Sequence, residues 1–497
     1  MKIFSASFSP HDHNTYDGLF HNQIERYSRL KHNLPKLDEN VYPFNGVFIP
    51  QKHSNEAGIK FYEEYYKPEN HEVFAFTTTI GGVNQITPYK ISKEYLDFKP
   101  TNLWDYKMIN NTYYIDHHQS HAAYAYLTSG FEESDILAID GRGYNFNCIF
   151  IDKNQKIIDL SSKINIGELW NFISQYLGFG FLGAGKVMGL SAYGALKDSI
   201  YLMLEELHQN RIDKDDFIRM VDSQNVPPDS IAHTLQVFTE DIIREHVYPL
   251  QSSTNLCIAG GVAYNGYVNE MFFEKYENVH VPPAAGDEGQ ALGTYMHADY
   301  MLNNNIHTPK TYAGKKYNFK GKEKVNYKEI AQAIADGAIV GWFQDESESG
   351  NRALGNRSIL ADPRRHDIKF VINNTIKLRE DFRPFAPAVL EEWYEYFFDT
   401  HKPSPYMSRI VKVKHKDKIP GVTHIDNTAR IQTVNESDNP KFYKLITDFF
   451  YATAMPMLLN TSFNCQEPIV ETPEEAIATF NKTGMDLLVI NDYIIRK

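Results

Sequence analysis

The chain has 497 residues, of which 42% are hydrophobic, and a formal net charge of −13. This length predicts two or three domains. The acidic balance excludes a broad basic surface for long nucleic acid, although it allows a nucleotide in a local pocket. Three widely spaced cysteines exclude a disulfide scaffold. Because no signal-like start and no apolar run of the ~18 residues of a membrane helix is found, we expect a cytoplasmic protein without membrane contact.

Residues 2–8 read as a first strand, and the segment Pro10-His11-Asp12-His13 follows directly. In α/β enzymes, groups that handle ligands lie just outside strand ends. His11 is therefore a candidate general base toward a hydroxyl. The alternative, a histidine in a surface loop, stays open.

Two histidines four residues apart, His117 and His121, form a candidate metal site. On a helix this spacing places both imidazoles on one face, one turn apart. Such a pair binds transition metals, and a carboxylate commonly completes the ligand set. Asp140 ends an apolar run that reads as a buried strand, and Asp287 lies in a glycine turn before a predicted helix. Asp287 could also serve a nucleotide's metal, and a chance pairing of histidines is the alternative for the whole site.

Two glycine-rich segments predict close approach of the backbone to a ligand. Residues 178–194 contain six glycines and Lys186, a positive charge suited to phosphate; a flexible loop is the alternative. Residues 255–262 read as a strand that ends in Gly260 and Gly261 and leads through Asn265 into a helix. Free N–H groups at such a helix start bind phosphate.

A polar connection at residues 303–328 predicts the main domain boundary, which we place between residues 312 and 313. Beyond it, arginines recur among Gly, Pro, Phe and Ala. One arginine alone is more often a solvated ion pair, but buried arginines need an anion. The pattern therefore predicts a phosphate or carboxylate site, with the candidate residues Arg352, Lys377, Arg379, Arg383, Arg430, Asn460 and Ser462.

Eight segments, in this order along the chain, resemble motifs of the NodU/CmcH-type O-carbamoyltransferases and span nearly the whole sequence. They are residues 117–123 (HHQSHAA), 185–190 (GKVMGL), 260–265 (GGVAYN), 286–289 (GDEG), 352–358 (RALGNRS), 382–387 (FRPFAP), 428–432 (TARIQ) and 459–464 (LNTSFN).

The resemblance implies an α/β protein of two domains. Residues 1–312 would form an actin/Hsp70/sugar-kinase-like (ASKHA) domain, similar to the tRNA threonylcarbamoyl-transfer enzymes, and residues 313–497 a YrdC-like α/β domain. The second domain would join carbamoyl phosphate to ATP, supplied with Mg²⁺, giving carbamoyl-adenylate and pyrophosphate. The first would hold Fe²⁺ or another divalent transition metal and pass the carbamoyl group to a small hydroxyl-bearing acceptor, releasing AMP.

The resemblance also implies residue roles. His11 would be the general base, and Lys186, Gly260, Gly261 and Asn265 would hold the nucleotide. The metal ligands would be His117, His121, Asp140 and Asp287. Carbamoyl phosphate and the adenylate would be held in the second domain by Arg352, Lys377, Arg383, Arg430, Asn460 and Ser462.

Two alternatives are a tRNA threonylcarbamoyladenosine-type modification enzyme and a metal- and nucleotide-binding regulator without turnover. The sequence leaves the acceptor open among sugars, antibiotic-like metabolites and hydroxymethyl-pyrimidine nucleotides. The segment His13-Asn14-Thr15-Tyr16 departs from the family's run of small residues and borders the acceptor. The oligomeric state is equally open, and a homodimer is one assembly that the sequence allows.

Overall fold

The computed structural model describes residues 1–8, 14–19, 21–23, 71–78, 97–181, 183–306 and 309–497. Within these ranges the chain forms two compact units, Met1–Lys310 and Thr311–Lys497. Both units combine strands with helices, so the protein has a mixed α/β fold, as the sequence predicted. No helix within these ranges is long and apolar enough to cross a membrane.

The described part of the first unit contains short strands, each three to six residues long. They are β1 (Ile3–Phe8), β2 (Asn14–Tyr16), β3 (His21–Gln23), β4 (Val73–Thr78), β5 (Lys107–Ile109), β6 (Thr112–Tyr114), β7 (Asp135–Ile139), β8 (Cys148–Ile151), β9 (Ile157–Asp159), β10 (Asn255–Ala259) and β11 (Asn278–His280). The helices are α1 (His117–Ser129), α2 (Ile166–Tyr176), α3 (Ala184–Ser191), α4 (Asp198–His208), α5 (Lys214–Gln224), α6 (Pro228–His246), α7 (Gly266–Met271) and α8 (Gln290–Asn303).

Two sheets of the first unit share one strand plan. Their strand orders are β3-β2-β1-β4-β6-β5 and β11-β10-β7-β8-β9. In each sheet, three consecutive antiparallel strands are extended by two strands parallel to the first of the three. The first sheet has one further edge strand, β5, which is antiparallel to β6. The repeated plan indicates a duplicated α/β motif. Open sheets of this kind bind ligands outside the carboxyl ends of their parallel strands, and β7 and β10 lead there to Asp140 and Gly260.

Helix α1 is buried along most of its length, is capped at both ends and packs against α8. The Asp116 side chain accepts a hydrogen bond from the His118 N–H, and Gly130 ends the helix in the left-handed conformation. The contact with α8 is close, since a β-carbon at Gly293 would lie 2.1 Å from the Ser120 carbonyl oxygen. The Ser120 hydroxyl donates to the Gln290 carbonyl at 2.8 Å. These contacts fix the two helices relative to each other.

The second unit is built on one nine-stranded mixed sheet with the order β12-β20-β19-β13-β14-β18-β15-β17-β16. Its strands are β12 (Glu323–Lys324), β13 (Val340–Phe343), β14 (Arg357–Ala361), β15 (Ala386–Leu390), β16 (Arg409–Lys412), β17 (Thr428–Val434), β18 (Met457–Ser462), β19 (Leu487–Ile490) and β20 (Tyr493–Arg496). Its helices are α9 (Tyr327–Ala335), α10 (Ile368–Ile372), α11 (Tyr394–Phe397), α12 (Pro440–Thr453) and α13 (Pro473–Lys482). Strands β13, β14, β15 and β19 are buried throughout and form the centre of the core.

One predicted strand was too long. Residues 255–262 were expected to be extended, but β10 ends at Ala259 and a 3-10 turn, Gly261–Tyr264, follows. Gly260 has a φ of +90°, and a β-carbon there would lie 2.1 Å from the Ile139 carbonyl oxygen. The strand stops because the backbone turns at this glycine against the neighbouring strand.

Candidate metal centre and anion pocket

The first unit brings together His117, His121, Asp140 and Asp287, whose ligand atoms all lie within 4.8 Å of one another. Both imidazole Nε2 atoms are 3.1 Å from Asp140 Oδ2. They are 3.3 and 3.4 Å from Asp287 Oδ1. The histidines come from α1, Asp140 follows β7, and Asp287 begins the 3-10 turn Asp287–Gly289 before α8.

The electrostatics of this cluster suit a divalent cation. Burial would lower the pKa of His117, but Asp287 and Asp140 outweigh it and raise this pKa to about 10. Burial and the charge of Asp287 oppose ionisation of Asp140, yet hydrogen bonds from His117 and His121 hold its pKa below the usual range. Two carboxylates and two imidazoles converging in a buried space form a donor set that fits Fe²⁺ or a similar transition metal. The residues therefore fit the implied metal.

The glycine turn after β10 lies against this centre. A β-carbon at Gly261 would lie 2.9 Å from Asp140 Oδ1, so only a glycine lets the backbone approach so closely. Asn265 has a structural use here: its Oδ1 caps α7 and its Nδ2 donates to Gln236 Oε1 at 2.8 Å. A nucleotide role for Asn265 stays a prediction.

The glycine-rich segment 178–194 is in part helical, because α3 occupies residues Ala184–Ser191. Some of its glycines serve internal packing; a β-carbon at Gly194 would lie 2.0 Å from the Asp229 carbonyl oxygen. Lys186 is half-buried on α3, with its Nζ 5.8 Å from the centre of the Phe179 ring. His11 lies outside the described residues, and its role as general base stays a prediction.

In the second unit, Lys377 is fully enclosed at the end of a π-helical turn, Asn373–Lys377, that continues α10. Its Nζ donates to Asn464 Oδ1 at 2.6 Å, to Ser462 Oγ at 3.1 Å and to the Ser462 carbonyl. Burial, together with the charges of Arg379 and Arg383, lowers the pKa of Lys377 well below its usual value. The lysine therefore lies in a positive field.

Arg430, on β17, lies near Arg379 and Arg383, the two arginines that also lie near Lys377. Burial and the charges of Arg352, Arg379 and Arg383 lower its pKa. Its Nε is buried and has no hydrogen-bond partner among the described residues. Five cationic side chains thus share one partly buried region, and such a region requires anions. We refer to Arg352, Lys377, Arg379, Arg383 and Arg430 as the anion pocket.

Two buried residues that the sequence did not predict lie at this pocket, and one of them holds its arginines in place. Asn373 is fully buried; its Oδ1 accepts a hydrogen bond from Arg379 Nε at 2.8 Å, and its Nδ2 donates to the Arg383 carbonyl at 3.2 Å. His424 is buried near Arg430, and burial lowers its pKa to about 4. The position of Asn373 one helical turn before Lys377 could have identified it from the sequence. No local feature of the sequence distinguishes His424.

Arg357, part of the RALGNRS segment, has a structural use. Its guanidinium is fully buried, donates to the carbonyls of Gln344, Asn356 and Asp345, and lies 3.6 Å from the Phe343 ring centre. Of the two arginines in that segment, only Arg352 contributes to the anion pocket.

Comparison with known proteins identifies the family. The model of the carbamoyltransferase N-terminus matches residues 48–296, and that of the carbamoyltransferase C-terminus matches residues 331–497. Nodulation protein NolO of Bradyrhizobium diazoefficiens is 35% identical, with 77% of this chain and 79% of that protein covered. An uncharacterized protein of Methanocaldococcus jannaschii is 28% identical over the full length of both chains. The 3'-hydroxymethylcephem-O-carbamoyltransferase of Streptomyces clavuligerus is 29% identical, with 56% of this chain and 58% of that protein covered.

Solved structures give a weaker likeness. The activator of the 2-hydroxyisocaproyl-CoA dehydratase from Clostridium difficile has a TM-score of 0.38 at 13% identity and covers 61% of this chain and 97% of its own. HypF of T. kodakarensis has a TM-score of 0.33 at 11% identity and covers 61% of this chain and 48% of its own. These scores are too low to assign a fold to either unit. The sequence matches show that the chain belongs to the carbamoyltransferase family and is a carbamoyltransferase of the NodU/CmcH type.

Proposed function

We propose that the protein is an O-carbamoyltransferase that activates carbamoyl phosphate with ATP in its second unit and transfers the carbamoyl group to an acceptor hydroxyl in its first. The observation that carries this proposal is the anion pocket. Carbamoyl phosphate is a small dianion and ATP brings a further polyanionic chain, so several cations are needed to hold both. We propose that the second unit, which holds this pocket, is the YrdC-like domain that the family resemblance implies.

The first half-reaction would form carbamoyl-adenylate. Because carbamoyl-adenylate does not contain the phosphate of carbamoyl phosphate, the balance includes water: carbamoyl phosphate and water give carbamate and inorganic phosphate. A carbamate oxygen then attacks the α-phosphorus of ATP, and pyrophosphate leaves. Lys377, Arg352, Arg383 and Arg430 would hold the phosphates, and the Ser462 hydroxyl, which lies 3.1 Å from Lys377 Nζ, would add a neutral hydrogen-bonding group.

The second half-reaction would use the first unit, which we assign as an ASKHA-type domain. The duplicated strand plan and the glycine turn after β10 support this assignment, with Gly260, Gly261 and Lys186 holding the nucleotide phosphate. His117, His121, Asp140 and Asp287 would hold Fe²⁺ or a similar ion, which would neutralise phosphate charge or polarise the carbamoyl oxygen. The acceptor oxygen attacks the carbamoyl carbon, its proton passes to a base, for which His11 is the candidate, and AMP leaves with its oxygen.

The acceptor is proposed only as a small molecule with a hydroxyl group. One relative is named for a 3'-hydroxymethylcephem acceptor. Sugars, related metabolites and hydroxymethyl-pyrimidine nucleotides have the same reactive group. A screen of these classes for AMP release, with His11→Ala as the control, would identify the acceptor.

The proposal is tested by incubating the protein with ATP, Mg²⁺ and carbamoyl phosphate, without acceptor, and measuring pyrophosphate and phosphate. We expect both products in equal amounts and only when carbamoyl phosphate is present. Arg383→Ala should lower pyrophosphate release at least tenfold. Arg365→Ala is the matched control, because Arg365 instead pairs with Asp367 at 2.7 Å and should have no role in the pocket.

If no pyrophosphate forms with any of the divalent metals tested, this result would contradict the proposed activation step. It would favour a metal- and nucleotide-binding regulator. An equal loss of pyrophosphate release in Arg383→Ala and Arg365→Ala would contradict the assignment of the pocket, since a general loss of folding would then explain both results.

A further inference from the structure

A buried side-chain oxygen close to residues of this pocket has no hydrogen-bond partner in the part of the chain that the structure describes. Asn460, on β18, is 1% exposed. Its Nδ2 donates to the Gln432 Oε1 at 2.8 Å and to the Ala353 carbonyl at 3.1 Å, which uses both of its hydrogens. Its Oδ1 has no hydrogen-bond partner among the described residues. A buried carbonyl oxygen without a hydrogen bond destabilises the folded protein unless a ligand supplies a donor.

The orientation of the Asn460 amide is fixed by its neighbours. Gln432 is held because its Nε2 donates to the Leu354 carbonyl at 2.8 Å. The Gln432 Oε1 must therefore face Asn460 and accept from it. Rotating the Asn460 amide would place its oxygen against two acceptors, the Gln432 Oε1 and the Ala353 carbonyl. The free atom is thus the oxygen and not the nitrogen.

Strand geometry places the Asn460 side chain on the face of the sheet that carries residues of the anion pocket. Residues two apart on a strand share a face, so Asn460 shares a face with Ser462, which contacts Lys377. On β17, Gln432 shares a face with Arg430 in the same way. Asn460 pairs with Ala386 of β15, which lies between these two strands. Asn460 therefore lies on the same face of the sheet as Ser462, which contacts Lys377, and as Arg430.

We propose that Asn460 Oδ1 accepts a hydrogen bond from the carbamoyl NH₂ group and so selects carbamoyl phosphate over other acyl phosphates. This inference rests on the proposed function. The five cations can donate hydrogen bonds to phosphate and carbonyl oxygens but cannot accept one. The Ser462 hydroxyl already accepts from Lys377 Nζ at 3.1 Å and donates to Asn464 Oδ1 at 2.8 Å. An acyl phosphate with the same charge and shape, acetyl phosphate, differs by a methyl group in place of NH₂. A hydrogen-bond acceptor beside this group favours the NH₂ of carbamoyl phosphate over the methyl group of acetyl phosphate.

The test is the affinity of the full chain for three anions, measured by calorimetry: carbamoyl phosphate, acetyl phosphate and inorganic phosphate. The unchanged protein should bind carbamoyl phosphate about tenfold more tightly than acetyl phosphate, the effect of one buried hydrogen bond. Asn460→Leu should bring the ratio close to one and leave the affinity for inorganic phosphate within about twofold. Gln432→Leu keeps Asn460 but frees its amide to turn, so it should reduce the ratio partially.

Three results would overturn the inference. The first is equal binding of carbamoyl and acetyl phosphate by the unchanged protein, which does not depend on the folding of any variant. The second is an equal weakening of all three anions in Asn460→Leu, which indicates a structural role. The third is binding of none of the anions by the unchanged protein; this would remove the proposed function as well, whereas the first two leave pyrophosphate release intact.

Discussion

Asn373 offers a sharp test of how the anion pocket is held together. Its amide joins two of the arginines, because the Oδ1 accepts from Arg379 Nε and the Nδ2 donates to the Arg383 carbonyl. It also begins the π-helical turn that ends at Lys377. Replacing Asn373 by alanine removes both hydrogen bonds without adding bulk. The substitution should therefore affect both stability and anion binding.

The magnitude follows from the two contacts. Asn373 is fully buried, and its bonds to Arg379 Nε and to the Arg383 carbonyl measure 2.8 and 3.2 Å. A buried polar group that loses its partner costs about 1–3 kcal/mol. Arg379 is half-buried and regains some water, so we expect a loss of about 2–4 kcal/mol in the free energy of unfolding. For a unit of this size the Tm should fall by roughly 5–15 °C.

Two measurements decide this prediction: thermal unfolding, and the dependence of pyrophosphate release on carbamoyl phosphate. The KM for carbamoyl phosphate should rise about tenfold or more in Asn373→Ala, because Arg379 and Arg383 lose their orientation. Asn374→Ala is the matched control, since Asn374 is the next residue of the same turn but is exposed; its Tm should change by less than about 2 °C. A lower Tm in Asn373→Ala with an unchanged KM would refute the claim that Asn373 orients the arginines.

Three further predictions concern other parts of the chain. Gly260→Ala should leave little folded protein, because a β-carbon there lies 2.1 Å from a backbone oxygen, whereas Gly178→Ala, which has a φ of +78° but nothing within 4 Å, should lose only about 1–2 kcal/mol of unfolding free energy; similar losses in the two would contradict the steric reasoning. Added Fe²⁺ without oxygen should raise the Tm of the unchanged protein by an amount that grows with metal concentration, and Asp140→Asn should abolish this rise; persistence in the variant would exclude Asp140 as a ligand. Burial opposes ionisation of Glu467, but hydrogen bonds from Lys482 and Thr479 lower its pKa to about 2 from 4.5, so it stabilises the fold above pH 4.5 and this contribution is lost as the pH falls toward 2. Glu467→Gln should therefore be roughly 1–3 kcal/mol less stable than the unchanged protein at pH 7, and a difference that does not shrink as the pH is lowered from 4.5 would refute the linkage.

Local sequence patterns predicted the elements of the metal centre well. The spacing of His117 and His121 predicted one helical face, and the structure confirms a helix with a capping box there. The apolar run before Asp140 is a buried strand, and Asp287 begins a tight turn before a helix. Each of these features depends on neighbours within a few residues, which is the range over which periodicity and capping act.

Features set by distant contacts could not be predicted in this way. The nucleotide role of Asn265 stays a prediction, but its hydrogen bond to Gln236, which is 29 residues earlier, could not be predicted. The acceptor role of Asn460 depends on Gln432 and on the register of three strands. Glycine spacing likewise cannot distinguish a ligand cradle from close packing, and Gly194 shows the second use. Tertiary contacts decide these uses, and a single sequence does not reveal them.

The close contact between α1 and α8 has a consequence for the interpretation of natural variants. Two of the proposed ligands lie on α1, and the turn that carries Asp287 leads directly into α8, so the distance between the helices would set the spacing of the proposed ligands. Gly293 contributes no ligand atom, yet any larger residue would push against the Ser120 carbonyl and spread the two helices. A relative that keeps all four proposed ligands but replaces this glycine should therefore bind the metal weakly. When inactive family members are sought, their sequences should be compared at position 293 as well as at the proposed ligands.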